Sequence, residues 1–237
     1  MSKWAEELFS FAHIYVIIHY MEHTNTILDI LAKLYPDAKS ELHFDSHYQL
    51  LVAVILSAQC TDKRVNEITR TLFTLAGTPQ QMEELPIERL EEIIYSCGFY
   101  HNKAKYIKQC THDIMDKYNG QVPNNLLQLQ QLAGVGRKTA NVVYAVAFGG
   151  QAIAVDTHVY RVSNRLGLTN ANNVLDTEKQ LMSVIAREMW SQAHHYILLH
   201  GRYVCASRRP RCNQCPLTLY CKYYAQNTGQ VDNNKVE

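Results

Sequence analysis

No apolar run in this sequence reaches bilayer length. The most apolar early stretch, Leu8 to Tyr20, is 13 residues long and is interrupted by His13 and His19, whereas a span needs about 20 apolar residues. The basic flank and small-residue cleavage site of a secretory leader are missing. The Arg-rich, acid-poor composition of a transit peptide is missing too: Glu6 and Glu7 come early, and the first arginine is Arg64. Neither a membrane protein nor an exported or organellar one is indicated. Alternating strand-like runs are also essentially absent, and Ile153-Ala154-Val155 is too short to found a sheet. No repeat of fixed period appears. Glycine (10) and proline (6) are sparse in 237 residues, and 47% of the chain is hydrophobic. Disordered, collagen-like and low-complexity classes are thereby excluded, and there is enough apolar matter for one large domain or two small ones.

The seven cysteines are an odd number, awkward for a pure disulfide framework, and four of them crowd into residues 205–221. Such clustering suggests metal ligation in a reducing compartment. The net charge of +1 hides an asymmetry. Residues 1–100 carry 7 Lys/Arg against 14 Asp/Glu, and residues 101–237 carry 16 against 8. Segregation of this kind can place a positive face on a nearly neutral protein. Chance variation over solvated helix faces is the alternative that a motif has to displace.

Punctuation predicts helices almost throughout. Ser46 with Gln49 opens one that runs to Ser57, and Thr78-Pro79 with Gln81 opens another. Pro86 starts a segment ending before Gly98. Asn102 begins a long stretch that stops near Gly120, and Asn124-Asn125 begins one ending at Gly134. Gly149-Gly150 closes the next. The expectation is about ten helices of roughly 8–16 residues joined by short turns. A domain change is expected near Gly149–Gln151. Residues 1–20 read as an appendage, or as a consequence of start-site choice with Met21 as the true start. Residues 226–237 read as a frayed polar tail.

Three sites carry chemistry. The first is Leu132-Ala133-Gly134-Val135-Gly136-Arg137-Lys138-Thr139-Ala140 between two helical segments. A tight glycine turn there would aim backbone N–H groups outward at a helix start, which makes an anion site. Taken alone, a plain helical hairpin explains it equally well. Lys138 would lie in the first helical turn, where the dipole disfavours a cation. A lysine with an accessible neutral amine is a candidate nucleophile toward carbonyl-like or oxocarbenium carbons, although phosphate binding is the commoner fate of a lysine in such a loop. The second site is Asp156, which follows the apolar run Ile153-Ala154-Val155 and is the one acid between Asp116 and Asp176. It suits an N-cap for a helix through Leu166, stopped by Gly167, or a catalytic carboxylate facing Lys138; one oxygen could serve each role. The third is Cys205-x6-Cys212-x2-Cys215-x5-Cys221. Four soft sulfurs suit zinc or an iron–sulfur cluster, a disulfide pair being the alternative. The loop between the first two cysteines holds Arg208, Arg209 and Arg211, and no acid occurs from Met189 to Val231. That is the footprint of a phosphate backbone. Cys60, Cys97 and Cys110 read as small packed side chains.

Together the three sites resemble the endonuclease III family of DNA base-excision glycosylases. The hairpin is similar to that family's helix–hairpin–helix, Val155-Asp156-Thr157-His158 to its catalytic aspartate motif, and the cysteine spacing to its [4Fe–4S] pattern. Leu56-Ser57-Ala58-Gln59-Cys60-Thr61-Asp62 and His200-Gly201-Arg202-Tyr203-Val204-Cys205 extend the similarity, which covers residues 22–225.

The resemblance implies an all-α, two-domain helix–hairpin–helix glycosylase fold. Residues 40–150 would form a six-helix barrel domain; 22–39 with 151–225 would form the [4Fe–4S] cluster domain, ligated by Cys205, Cys212, Cys215 and Cys221. It implies a monomer without a membrane partner, cytoplasmic and DNA-associated, acting on double-stranded DNA that holds a damaged base or an abasic site. An oxidised pyrimidine would be removed and the strand nicked by β-elimination. Lys138 would be the Schiff-base nucleophile and Asp156 its partner. DNA contacts would come from Gln59, Phe99, Gly134, Val135, Gly136, Arg137, Thr157, His158, Arg208 and Arg209. Asp62 would lie near the base pocket, or cap a helix. Two departures stand out: Phe99 occupies a wedge position where an aliphatic residue is expected, and Ala133 one where proline is usual. The alternatives are a monofunctional adenine or mismatch glycosylase, whose members usually carry Ser or Tyr in place of Lys138, and a non-catalytic DNA-binding iron–sulfur module.

Overall fold

The structure, a computed structural model, describes residues 21–228. The expected appendage, residues 1–20, and residues 229–237 of the expected tail lie outside the described residues; residues 226–228, expected to be frayed, instead complete the helix Lys222–Thr228. Helices dominate, beginning with α1 at residues 21–34, and there is no β-strand among the described residues. Contacts divide the chain into two compact units: Ser40–Ala154, and residues up to Lys39 together with those from Val155.

The Ser40–Ala154 unit is organised around α2 (His47–Ser57), which is buried from Leu50 through Leu56. A helix apolar on all sides must be enclosed, and α2 contacts α3 (Asp62–Ala76), α6 (Tyr100–Tyr118) and α8 (Arg137–Phe148). The short α4 (Pro79–Glu84) and α5 (Ile87–Ile94) lie on α6, and α7 (Leu126–Gln131) lies on α8. Leu72, Met82, Leu90, Ile107 and Leu129 reach full burial in the resulting core. Cys97 and Cys110 are buried in it as expected of small apolar side chains, while Cys60 is half-buried.

Local chemistry sets most helix starts. Ser46 Oγ accepts from Gln49 N at 3.2 Å, and Gln49 Oε1 answers to Asp45 N rather than to the Ser46 amide. Thr78 and Gln81 form the reciprocal capping box with Pro79 in the first turn. Asn125 Oδ1 caps α7. The structure corrects two expectations. The long helix begins at Tyr100, not Asn102, because Phe99 takes a left-handed conformation (φ 59°) and turns the chain into the helix without a side-chain cap. Helix lengths also run from 6 residues in α4 and α7 to 19 in α6, outside the expected range. The short α4 is stabilised from outside itself. Lys108 of α6 donates to the carbonyls of Met82, Glu83 and Leu85 at 2.7–3.0 Å, satisfying the open end of α4.

In the other unit, α1 is joined by α9 (Thr157–Leu166), α10 (Val174–Val184), α11 (Trp190–Tyr203) and α12 (Lys222–Thr228). The principal packing is α9 on α11. Gly201 permits it: a Cβ there would stand 2.9 Å from His158 Cβ and 3.0 Å from Val162 Cγ2. Residues 21–39 join this unit through a Tyr35 hydroxyl–His200 Nδ1 hydrogen bond and through Gln192, which donates to Ala38 O. The division between units falls at Ala154/Val155; upstream of it, buried Asn141 of α8 donates to Ile153 O at 2.9 Å.

Candidate functional site

The Ser40–Ala154 unit carries the hairpin. Leu132 ends α7 in an extended conformation, and the Val135 amide bonds back to Leu132 O at 3.1 Å. Gly134 has φ 74°, and a Cβ there would meet Tyr106 Cβ at 2.7 Å. The turn therefore needs glycine for two reasons, its handedness and its close seat on α6. Val135 is buried beneath the turn, while Gly134 and Gly136 are not. Gly136 occupies the N-cap position of α8 without a side chain, so Arg137 and Lys138 are the first and second residues of that helix, and both are exposed. A glycine-capped helix start with exposed first-turn residues has the geometry that can take an anion.

Gln59 and Phe99 stand on neighbouring turns of this same unit. Both are left-handed (φ 55° and 59°) and both are exposed. A Cβ on Gly98 would lie 3.7 Å from Gln59 O, and Cys60 Sγ and Cys97 Sγ are 3.7 Å apart. Non-glycine residues in this conformation are uncommon and mildly strained. Asp62 is the first residue of α3 and not its cap; Thr61 fills that position, its hydroxyl accepting from Arg64 N at 3.3 Å. The capping alternative for Asp62 is thereby corrected.

Asp156 belongs to the other unit. It is the N-cap of α9, and Oδ1 accepts from both His158 N and Val159 N at 2.8 Å. Oδ2 accepts no hydrogen bond among the described residues, and the side chain is half-buried. One oxygen thus orders the helix start while the second remains available. Thr157 is exposed. His158 Nδ1 accepts from Arg161 Nη2 at 3.1 Å, and Arg161 also donates to Gly201 O (2.9 Å) and Cys205 O (3.1 Å).

All seven cysteines are free thiols. Cys205, Cys212, Cys215 and Cys221 line one hollow with Leu166, His200 and Tyr223. Among the described residues no three His, Cys, Asp or Glu side chains converge as a single-ion site requires. Donors surround the sulfurs: Arg165 Nη1 lies 3.3 Å from Cys205 Sγ, and His200 Nε2 lies 3.5 Å from Cys215 Sγ. Burial pushes the Cys215 thiol up to about 11, opposed by a backbone N–H bond from Leu217. Burial likewise raises Cys221, opposed by N–H bonds from Tyr224 and Tyr223. Arg208, Arg209 and Arg211 are exposed on the loop between the first two cysteines.

Sequence reasoning missed Arg161 and Arg165. Arg165 donates to Ala206 O and Ser207 O at 2.9 Å and stacks 4.4 Å above the Tyr223 ring, clamping the cysteine loop to α9. Their signal was available: two arginines four residues apart share a helix face.

The signature of the HhH-GPD superfamily of base excision DNA repair proteins matches residues 52–187. The chain is 47% identical over 196 residues to endonuclease III of Bacillus subtilis (strain 168), covering 82% of this chain and 90% of that one. It is 43% identical over 199 residues to endonuclease III of Escherichia coli (strain K12), covering 83% and 94%. A solved structure of a trapped endonuclease III–DNA covalent intermediate superposes with a TM-score of 0.84 at 47% identity, over 88% of this chain and 98% of that chain. A thermostable thymine-DNA glycosylase shares the fold, with a TM-score of 0.77 at 22% identity. The chain belongs to the endonuclease III family within the HhH-GPD superfamily of base excision DNA repair proteins.

Proposed function

We propose that this protein is a bifunctional DNA glycosylase and abasic-site lyase that removes oxidised pyrimidines from duplex DNA and nicks the strand. The observation that carries the reading is the likeness to a trapped covalent endonuclease III–DNA complex over 88% of the chain, joined to an exposed lysine, Lys138, at a glycine-capped helix start. The target sugar is unreachable inside the stack, so the nucleotide is extruded at a cost of about a few kcal/mol, least for a damaged base. Gln59 and Phe99 enter the vacated space, an aromatic wedge being physically suited to it. The hairpin amides and Arg137 contact the DNA backbone, as do Arg208, Arg209, Thr157 and His158. Such contacts position the duplex without reading its sequence.

The Lys138 amine attacks C1′ as the base departs. Asp156 Oδ2 stabilises the developing positive charge on the sugar and takes the proton released by the amine. That proton passes to O4′ as the C1′–O4′ bond opens to a Schiff base, and loss of a C2′ proton then breaks the C3′–O bond, the 3′ phosphate leaving. Asp62, in the first turn of α3, assists at the base pocket. We take the protein to act as a monomer in the cytoplasm, on DNA. Among the described residues no helix is long and apolar enough to cross a membrane.

The four cysteines fit a [4Fe–4S] cluster. Four soft sulfurs lining one hollow are the ligand set such a group takes, and their spacing is that of the family's [4Fe–4S] pattern. The N–H donors near the sulfurs suit ligands that must carry thiolate charge. When bound, the cluster would supply a cross-link that fixes both ends of the arginine loop.

Borohydride trapping on a duplex with an abasic site tests the reading. The wild-type protein is expected to give a covalent adduct, and Lys138→Ala none. Base excision without an adduct would instead select a monofunctional glycosylase, and salt-sensitive binding with intact strands a non-catalytic module.

A further inference from the structure

We propose that Lys103 is a positioning residue for strand opening. Its ammonium fastens the Gln59 turn to the start of α6, so that Gln59 and Phe99 enter the duplex as one piece. The inference rests on the reading of those two side chains as the groups that fill the vacated space.

Each of the last carbonyls of α2 has a partner, although none can be a backbone amide of the helix itself. Val54 O accepts from Ser57 Oγ at 2.8 Å, Ile55 O from Ala58 N, and Ser57 O from Cys60 N. These three bonds are local. The fourth is not: Leu56 O accepts from Lys103 Nζ at 2.8 Å, across 47 residues of sequence. Lys103 is itself only 4% exposed. It lies in the first turn of α6, and its amide bonds to Phe99 O at 3.0 Å. One residue therefore holds the carbonyl three positions before Gln59 through its side chain and the carbonyl of Phe99 through its backbone.

A buried ammonium is a poor choice for stability alone. Desolvating it is costly, and a single hydrogen bond to a neutral carbonyl offsets little of that cost, although the negative end of the α2 dipole helps. Lys108, further along α6, gives the contrast. Its three hydrogen bonds all go to carbonyls at the end of α4, as a purely structural cap should. The Lys103 ammonium makes one hydrogen bond among the described residues, and that bond ties the end of α2, just before the strained Gln59, to the start of α6, just after the strained Phe99. Retention of a destabilising buried charge for conformational definition is a recognised pattern. Two left-handed residues on separate loops need such a tie, because each could relax independently to a commoner backbone conformation.

Lys103→Met keeps the length and removes the charge and the donors, while Lys103→Arg restores both. Single-turnover excision from a duplex with an oxidised pyrimidine is expected to fall about tenfold or more in Lys103→Met, as a small misplacement of a reacting group does. Trapping at a preformed abasic site, which has no base to unstack, and affinity for undamaged duplex should both stay within about twofold. A 2-aminopurine beside the lesion should lose its unstacking signal, and Lys103→Arg should recover excision and signal together. Equal losses on both substrates together with a lowered Tm would make Lys103 a plain structural residue and overturn the proposal; so would unchanged excision. Gln59→Ala and Phe99→Ala separate the two modes of failure. If they lower excision while Lys103→Met does not, only this inference falls. If neither lowers it, the reading of the two probes falls and this inference goes with it.

Discussion

Asp156 can be interrogated with two substitutions whose stability and activity effects diverge. Its Oδ1 accepts from two α9 amides, and Asp156→Asn still supplies an amide oxygen at that position. Asparagine caps helices about as well as aspartate. The loss in stability should therefore be only the charge–dipole part, about 0.3–1 kcal/mol. Asp156→Ala removes the cap and leaves two first-turn amides unsatisfied, at about 1–2 kcal/mol. For a chain of this size the two correspond to Tm changes of about 1–4 °C and 2–8 °C. Catalysis should not follow this order. Removing a group that stabilises charge in the transition state costs about 10²–10³ in rate, and both variants lose that carboxylate. The assay is single-turnover excision from an oxidised-pyrimidine duplex, beside a thermal melt and a salt titration of binding. Both variants should be slow by a similar factor, with affinity for undamaged duplex nearly unchanged in Asp156→Asn. An Asn variant close to wild-type rate, with Ala alone impaired, would assign Asp156 to capping and refute its chemical role.

The loop arginines and two glycines give further expectations. Arg208→Ala or Arg209→Ala should weaken all duplexes about equally and lower the slope of log affinity against log salt by about one phosphate's worth; a loss confined to one lesion would contradict that assignment. Gly201→Ala gains helix propensity of about 1 kcal/mol but forces a Cβ against His158 and Val162, for a net destabilisation of about 1–2 kcal/mol by denaturant titration. Gly134→Ala adds left-handed strain of about 1–2 kcal/mol to its overlap with Tyr106, so a thermal melt and a duplex titration should both show losses.

Helix starts were legible where a side chain caps its own helix. Ser46, Thr78, Asn125 and Asp156 each bond an amide two or three residues on, so the signal is local and readable. The start of α6 was not, because Phe99 uses backbone handedness instead of a cap, and nothing in Phe-Tyr-His-Asn announces it. The hairpin, the cysteine spacing and Asp156 were legible as motifs. Lys103 and Lys108 were not, since what they do depends on carbonyls 23–47 residues away; the spacing of Arg161 and Arg165 announced a shared helix face but not the carbonyls 40–44 residues away that they hold. A lysine in a charged helical stretch reads as solvated surface until the fold shows the carbonyl it meets.

Helix α9 has a consequence for durability. It is ten residues long, a rod of about 15 Å. The acid stands at one end, and the arginine that grips residues 205–207 projects from the other. A strut this short cannot absorb a disturbance. An oxidant that unravels the thiol-rich loop would tug on the far tip as well, so corrosion at the sulfur end and loosening of the capped end should arrive as a single event.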